Sequence, residues 1–155
     1  MNRRSVSIVV WQGKAYLPCQ ARIEAGMWMD VEPVYVSDID LDSLQVFVEK
    51  VLSFGHPLLP TPTQEDVKRM KSPLLAATKA RSWKDLARAG ASYGIDWTDE
   101  HIRVDMSYRD KQGRWQNDPA KVRIFPMGTP LPEVLAVILE DMRTRPELQT
   151  TEEIR

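Results

Sequence analysis

The spacing of apolar residues changes twice along the chain, from every second residue to a helical period and back again. In the first third, Val6, Ile8 and Val10 alternate with other side chains, and residues 14–23 continue the alternation after a glycine turn. Period-two patterning between glycine turns is typical of an antiparallel meander. We therefore predict that the chain begins with three strands, the third over 27–36.

A helical period replaces this alternation from residue 38 onward. Apolar residues then recur at i, i+3, i+4, i+7 and i+8, which places on one helical stripe Leu44, Phe47, Val48, Val51 and Leu52. Asp40 or Asp42 can cap the start of this helix. The alternation returns at Gly94. A last helix is predicted to open at Thr129-Pro130, with a buried side formed by Leu131, Leu135, Ile138 and Met142.

The middle of the chain is predicted to be mostly helical. Residues 56–62 contain three prolines, which favours a stiff extended connector. Three helix starts follow, each at a residue type that caps helix N-termini: Thr63, Ser72 and Ser82. The third of these helices is predicted to cover 83–93 and to end at Gly94.

Strand runs separated from helix runs indicate an α+β fold. We expect an antiparallel sheet (or sheets) with two main amphipathic helices packed on one face and a helical middle segment. A chain of 155 residues fits one domain, which we place at 1–148, followed by a frayed polar tail at 149–155. Pro18 and Pro33 lack an N–H donor, so their strands should lie at an edge or carry a bulge.

Charge and apolar runs exclude several classes of protein. The 21 Lys and Arg residues balance 22 Asp and Glu residues, which argues against a general nucleic-acid binder. The apolar runs at 8–11 and 134–139 are too short for a signal peptide or a membrane span, so we expect a protein without membrane contact. Cys19 is the single cysteine and falls on an apolar strand face, which predicts a buried thiol and suits the cytoplasm.

No set of side chains predicts a catalytic centre or a metal site, and we expect no cofactor. The segment 90–94 matches G-x-S-x-G, but a nucleophile elbow needs a strand before the serine, so we interpret it as a helix C-cap and connector. The residues from Asp38 to Glu49 resemble a calcium loop without its glycine, and acidic helix capping explains them better. His56 and His101 have no metal-ligand spacing.

Five tryptophans are the most suggestive residues for binding, because tryptophan serves both cores and interfaces. We expect Trp11 and Trp83 in the core. Trp28 shares a predicted strand face with Asp30 and Glu32, and an aromatic ring beside carboxylates suits docking to a basic partner. Trp97 likewise lies close in sequence to the carboxylates of Asp99 and Glu100. A second acidic cluster lies at 38–42. The candidate partner-binding residues are Trp97, Asp99, Glu100, Asp105, Asp38, Asp40 and Asp42.

Two stretches carry a resemblance to a known family. They are Val-Val-Trp-Gln-Gly-Lys-Ala-Tyr-Leu-Pro at 9–18 and Tyr-Gly-Ile-Asp-Trp-Thr-Asp-Glu at 93–100, the second followed by a Gly-Arg-Trp turn at 113–115. In these stretches the chain resembles small bacterial immunity proteins, which are encoded beside the toxins of contact-dependent growth inhibition systems. The resemblance implies a cytoplasmic protein that binds and neutralises one cognate toxin domain, often a nuclease, and that has no catalytic residues.

Two alternatives stay open at the level of sequence. The first is a small enzyme of unknown reaction that uses His101 with Asp96 or Asp105. The second is an oligomeric assembly subunit that associates through a sheet edge or through the apolar connector at 57–60, so a homo-oligomer is possible.

Overall fold

One mixed sheet forms the centre of the protein, seen in a computed structural model that describes residues 3–149. The strand order is β3-β2-β1-β5-β6-β7, with β4 added beside β2 and β8 beside β6, and every pair except β2–β4 is antiparallel. The strands are β1 (Arg4–Trp11), β2 (Lys14–Ile23), β3 (Trp28–Ser37), β4 (Leu58–Leu59), β5 (Ala91–Trp97), β6 (His101–Arg109), β7 (Trp115–Asn117) and β8 (Arg123–Pro126).

The helices confirm the predicted α+β class. They are α1 (Leu41–Ser53), α2 (Gln64–Arg69), α3 (Pro73–Thr78), α4 (Trp83–Ala89), α5 (Leu131–Thr144) and α6 (Pro146–Gln149). The two long helices, α1 and α5, pack on one face of the sheet, as predicted, and the short helices α2 to α4 form the helical middle segment. The tail expected at 149–155 lies outside the described residues except for the backbone of Gln149.

The face of the sheet that carries α1 and α5, here called the helix-packed face, holds the main core. The alternating residues of β1, β2, β5 and β6 meet the apolar stripes of the two helices there. Burying these side chains is the main favourable contribution to folding. Cys19 is fully buried in this layer, which confirms the predicted buried thiol. Asp40 caps α1, and its Oδ1 accepts a hydrogen bond from the Ser43 N–H at 2.8 Å.

A second, smaller cluster lies on the opposite face, where α3 and α4 cover the sheet. Val9 and Trp11 of β1 pack there against Leu74 of α3 and Leu86 of α4, so the prediction for Trp11 is confirmed. The prediction for Trp83 is wrong, because 46% of this residue is exposed. Trp83 begins α4, whose buried face is formed instead by Leu86 and Ala87.

The predicted helix over 83–93 is too long. The helix α4 ends at Ala89, and the segment 91–97 is the central strand β5, which pairs with both β1 and β6. At Gly90 an added Cβ would lie 2.5 Å from the Val10 carbonyl oxygen, so the chain leaves the helix where only glycine fits. Sheet pairing on both sides overrides the local helical pattern. The interpretation of 90–94 as a helix C-cap and connector is confirmed for the cap, since Gly90 is the C-cap of α4. It is wrong for the connector, since Ser92 lies within β5.

Both strand prolines lie where their missing donor is tolerated. In the pairing of β2 with β3, the register shifts between Pro18 and Cys19, which places the first proline at a bulge. Pro33 lies in β3, an edge strand of the sheet. The expectation of an edge or a bulge is confirmed at both positions.

The strands β1 and β2 separate after a short paired stretch, and the proline connector fills the gap. Their paired residues are limited to Val9–Trp11 with Lys14–Tyr16. Further along β2, at Arg22 and Ile23, the strand pairs in parallel with β4. The connector starts at the end of α1 on the helix-packed face and leads to helices that pack on the second face. It therefore passes through the sheet at this gap.

His56 closes the gap with its imidazole ring. The Ser5 N–H of β1 donates to Nε2 at 3.1 Å, and Nδ1 lies 2.8 Å from the Gln20 carbonyl oxygen of β2. Since a carbonyl can only accept, Nδ1 carries the proton and Nε2 is bare. The ring also meets Trp28 edge-on, with 4.9 Å between centroids. One buried side chain thus satisfies two backbone groups that the separated strands leave unpaired.

We expect His56→Ala to lower the free energy of unfolding by about 2–4 kcal/mol, because it leaves two buried backbone groups unpaired and opens a cavity beside Trp28. Urea unfolding followed by far-UV circular dichroism measures this. His101→Ala is the matched control and should cost less than about 0.5 kcal/mol. Equal effects of the two changes would contradict the role of His56 in bridging β1 and β2.

A buried charged network attaches α5 to the sheet. The Asp141 carboxylate accepts hydrogen bonds from Tyr93 Oη at 2.7 Å, from Lys121 Nζ at 2.7 Å and from Arg145 Nε at 2.6 Å. Arg145 also donates to the carbonyl oxygen of Ser107 in β6. Burial by itself would raise the pKa of Asp141, but the three hydrogen bonds outweigh it and hold this pKa below its usual value.

Asp141→Ala should lower the free energy of unfolding by about 3 kcal/mol at neutral pH, because it removes the nearer carboxylate partner of the buried Arg145 guanidinium and leaves only Glu147, at 3.4 Å. The pKa of Asp141 is lower in the folded state, so its contribution is present above about pH 4 and is lost as the pH falls through the folded-state value. Urea unfolding at about pH 7 and pH 2 should show the difference from wild type shrinking. The exposed Glu140→Ala is the control; a pH-independent difference would contradict this assignment.

Candidate partner-binding surface

A row of polar side chains crosses the second face of the sheet, which is the face opposite α1 and α5. Neighbouring members of the row lie opposite each other in the strand register, except across the gap between β1 and β2, where the His56 ring connects the two strands. Asp30 pairs with Gln20 across β3 and β2, and Gln20 Nε2 donates to the Asp30 carboxylate. On the other side of the gap, the register runs Ser5, Asp96, Arg103 across β1, β5 and β6.

Two carboxylates in this row are held in an unfavourable environment. Burial raises the pKa of Asp30 above its usual value, although the hydrogen bond from Gln20 acts in the opposite direction. Burial likewise raises the pKa of Asp96, with Ser5 lowering it by a hydrogen bond and the nearby Asp105 raising it further. Carboxylates whose charged form is disfavoured by burial, on the same face as α3 and α4, are candidates for partner recognition.

The alternation of the strands separates residues that the sequence grouped together. Trp97 follows Tyr93 and Ile95 on the helix-packed face, where the Arg4 guanidinium lies 5.1 Å from its ring centroid. Asp105 belongs to the opposite face, where Arg103 donates to both of its carboxylate oxygens at 3.1 Å. Trp97 and Asp105 therefore do not form one patch.

Asp99 and Glu100 lie in the tight turn that joins β5 to β6, and both are exposed. Thr98 shapes this turn, because its Oγ1 accepts hydrogen bonds from the backbone N–H groups of Glu100 and His101 at 3.2 and 3.1 Å. The two carboxylates thus extend from the lower end of the sheet, defined here as the end where β1 begins and β5 finishes.

The second acidic cluster lies at the other end of the molecule. Asp38 forms an ion pair with Lys14, Asp40 caps α1, and Asp42 lies in the first turn of that helix. The helix α1 has 13 residues and spans about 20 Å, which separates this cluster from the turn at 98–100. The structure gives Asp38 and Asp40 local roles and does not bring the two acidic clusters together.

His101 is not placed against either acid considered for an enzyme. It shares a strand with Asp105 but lies four residues away, which is about 13 Å along a strand. Asp105 is already held by Arg103, and Asp96 lies opposite Arg103 rather than opposite His101. Among residues 3–149, no group of three or more His, Cys, Asp and Glu residues could hold a metal ion.

The sequence missed the residues that organise this surface. Period-two alternation through β1, β5 and β6 could have placed Ser5, Asp96 and Arg103 on one face. The role of His56 depends on the separation of β1 from β2, for which the local sequence carries no signal.

Asp96→Asn should leave the free energy of unfolding unchanged or raise it by less than about 1 kcal/mol at pH 7, because it removes a partly desolvated charge. The pKa of Asp96 is raised in the folded state, so its charged form destabilises the fold at a pH above that pKa. The extra stability of Asp96→Asn should therefore vanish near about pH 3, where the aspartic acid is as neutral as the asparagine that replaces it. Asp105→Asn, which loses the ion pair with Arg103, should act in the opposite direction. A loss of stability in Asp96→Asn at pH 7 would refute this view of the site.

The fold is similar to two solved structures. The first is a protein of unknown function from Neisseria meningitidis, with a TM-score of 0.65 and 13% identity, covering 93% of this chain and 96% of that chain. The second is a chain in the CdiA-CT/CdiI toxin and immunity complex from Yersinia pseudotuberculosis, with a TM-score of 0.63 and 15% identity, covering 94% of this chain and 99% of that chain.

At these identities the similarity establishes the fold and its near-complete extent along both chains. No protein-family model matches the chain, and no curated protein matches its sequence. Within the part of the chain that the structure describes, no helix is both long and apolar enough to cross a membrane.

Proposed function

We propose that this chain is an immunity protein that binds and neutralises a cognate toxin domain in the bacterial cytoplasm. The observation that carries the proposal is the match to a chain of a toxin and immunity complex over 94% of this chain and 99% of that one. The family resemblance of the segments 9–18 and 93–100 points to the same class of protein. In this proposal residues 1–148 act as one binding unit.

The charged groups of the sheet support recognition rather than chemistry. Asp96 lies opposite Arg103 rather than opposite His101, and Asp105 is held by Arg103. Burial raises the pKa of the Asp96 carboxyl, which lies on the second face of the sheet. Recognition of a basic partner gives such a carboxylate a use, since complementary charge steers association and fixes the register of docking.

We place the docking surface at the lower end of the sheet. Asp99 and Glu100 are exposed in the turn between β5 and β6, and Asp96 lies one residue before Trp97 at the end of β5. A nuclease toxin presents a cationic cleft for its substrate, and carboxylates can occupy such a cleft in place of phosphates. The toxin is then blocked without any reaction catalysed by this chain.

The test uses the toxin domain encoded next to this gene. We expect the purified chain to form a complex with that domain at micromolar concentration in isothermal titration calorimetry, and to restore growth of cells that express the toxin. The double change Asp99→Lys/Glu100→Lys should weaken the affinity of the complex by about tenfold or more, because it reverses the charge at the proposed docking surface.

The double change Asp38→Lys/Asp42→Lys is the matched control at the opposite end of the molecule, and its affinity should stay within about twofold of wild type. The absence of a complex with wild type would overturn the proposed function. A complex weakened by the control and not by the change at 99 and 100 would leave the function and overturn the docking surface.

A further inference from the structure

A cleft of about 670 Å³ opens at the lower end of the gap between β1 and β2. Arg4 begins β1 and Arg3 directly precedes it, while Arg22 lies near the end of β2, so arginines from both sides of the gap line the cleft. The connector adds His56, and the turn after β5 adds Asp99. The cleft therefore exists because the two strands separate here.

Positive charge dominates the lining of this cleft. Three arginines and one carboxylate, that of Asp99, line the cleft in a chain whose net charge is −1, and the charge of Arg3 also acts on the Asp96 carboxylate and lowers its pKa. Across residues 3–149, none of the three arginines forms an ion pair with a carboxylate. Guanidinium groups left without a partner in a concave site attract multivalent anions.

Aromatic rings hold two of these arginines in place. The Arg4 guanidinium lies 5.1 Å from the ring centroid of Trp97, and that of Arg22 lies 5.9 Å from the ring centroid of Trp28. Stacking on a ring restricts the side chain but leaves the N–H groups at the edge of the guanidinium free to donate. His56 supplies no donor to the cleft, because both of its ring nitrogens already bond to the backbone.

We infer that this cleft binds a small phosphorylated organic molecule with two or more negative charges, in the size range of a nucleotide. A phosphate monoester carries a charge of about −1.5 to −2 and offers three acceptor oxygens, which matches several arginines better than one carboxylate does. The remaining wall is apolar, formed by Leu52, Ile102 and Met127, and suits the organic part of the ligand. This site goes beyond the proposed toxin-binding function: it shares Asp99 with the proposed docking surface, but its test involves no toxin.

The test follows the indole N–H signal of Trp97 in nitrogen-15 correlation spectra of the whole chain. Titration with ATP and with pyrophosphate at constant ionic strength should give saturable shifts with dissociation constants below about 1 mM. Arg4→Gln and Arg22→Gln should each weaken binding by about tenfold, while both spectra stay those of a folded protein. Arg3→Gln, at the exposed start of the described chain, gives a third arm if either variant unfolds.

Arg69→Gln, on the exposed helix α2, is the matched control and should bind as wild type does. A hexaglutamate peptide should not saturate the site at the same concentrations. Three results would overturn the inference: shifts that do not saturate, arginine variants that bind as well as wild type, or hexaglutamate binding as tightly as ATP. An acidic segment of a protein would be the better ligand in the last case.

Discussion

The two hydrogen bonds of the His56 ring hold together the part of the sheet where β1 and β2 no longer pair. Without them, the Ser5 amide and the Gln20 carbonyl would be buried and unpartnered. The gap lets the chain pass from α1 on one face to α3 and α4 on the other. The second-face cluster around Trp11 follows from this crossing, because it is completed by Leu74 of α3 and Leu86 of α4.

The same separation of strands gives the lower end of the protein two surfaces of opposite character. On the second face, Asp96 keeps a carboxylate in a partly buried row beside Arg103. At the mouth of the gap, Arg4 and Arg22 line a cleft in which positive charge dominates. Trp97 lies beside the arginines rather than with the acids, because neighbouring residues of a strand point to opposite faces.

Sequence periodicity predicted the fold class, both long helices and their buried stripes, since alternation and helical spacing report which side chains face the core. It failed at the segment 91–94, where pairing of β5 on both edges overrides the helical pattern, and at Trp83, whose position at the start of a short helix leaves it exposed. The site was harder to predict. The roles of His56 and Arg22 depend on the gap between β1 and β2. The sequences of these two strands carry no signal that they separate.

The protonation of the two His56 ring nitrogens tests the central claim most directly. Nitrogen-15 spectra of the histidine rings at neutral pH should show Nδ1 protonated and Nε2 bare, with a scalar coupling across the hydrogen bond from the Ser5 amide to Nε2. A ring protonated at Nε2, or one that exchanges between both tautomers as an exposed histidine does, would contradict the claim that His56 connects β1 to β2 where they no longer pair.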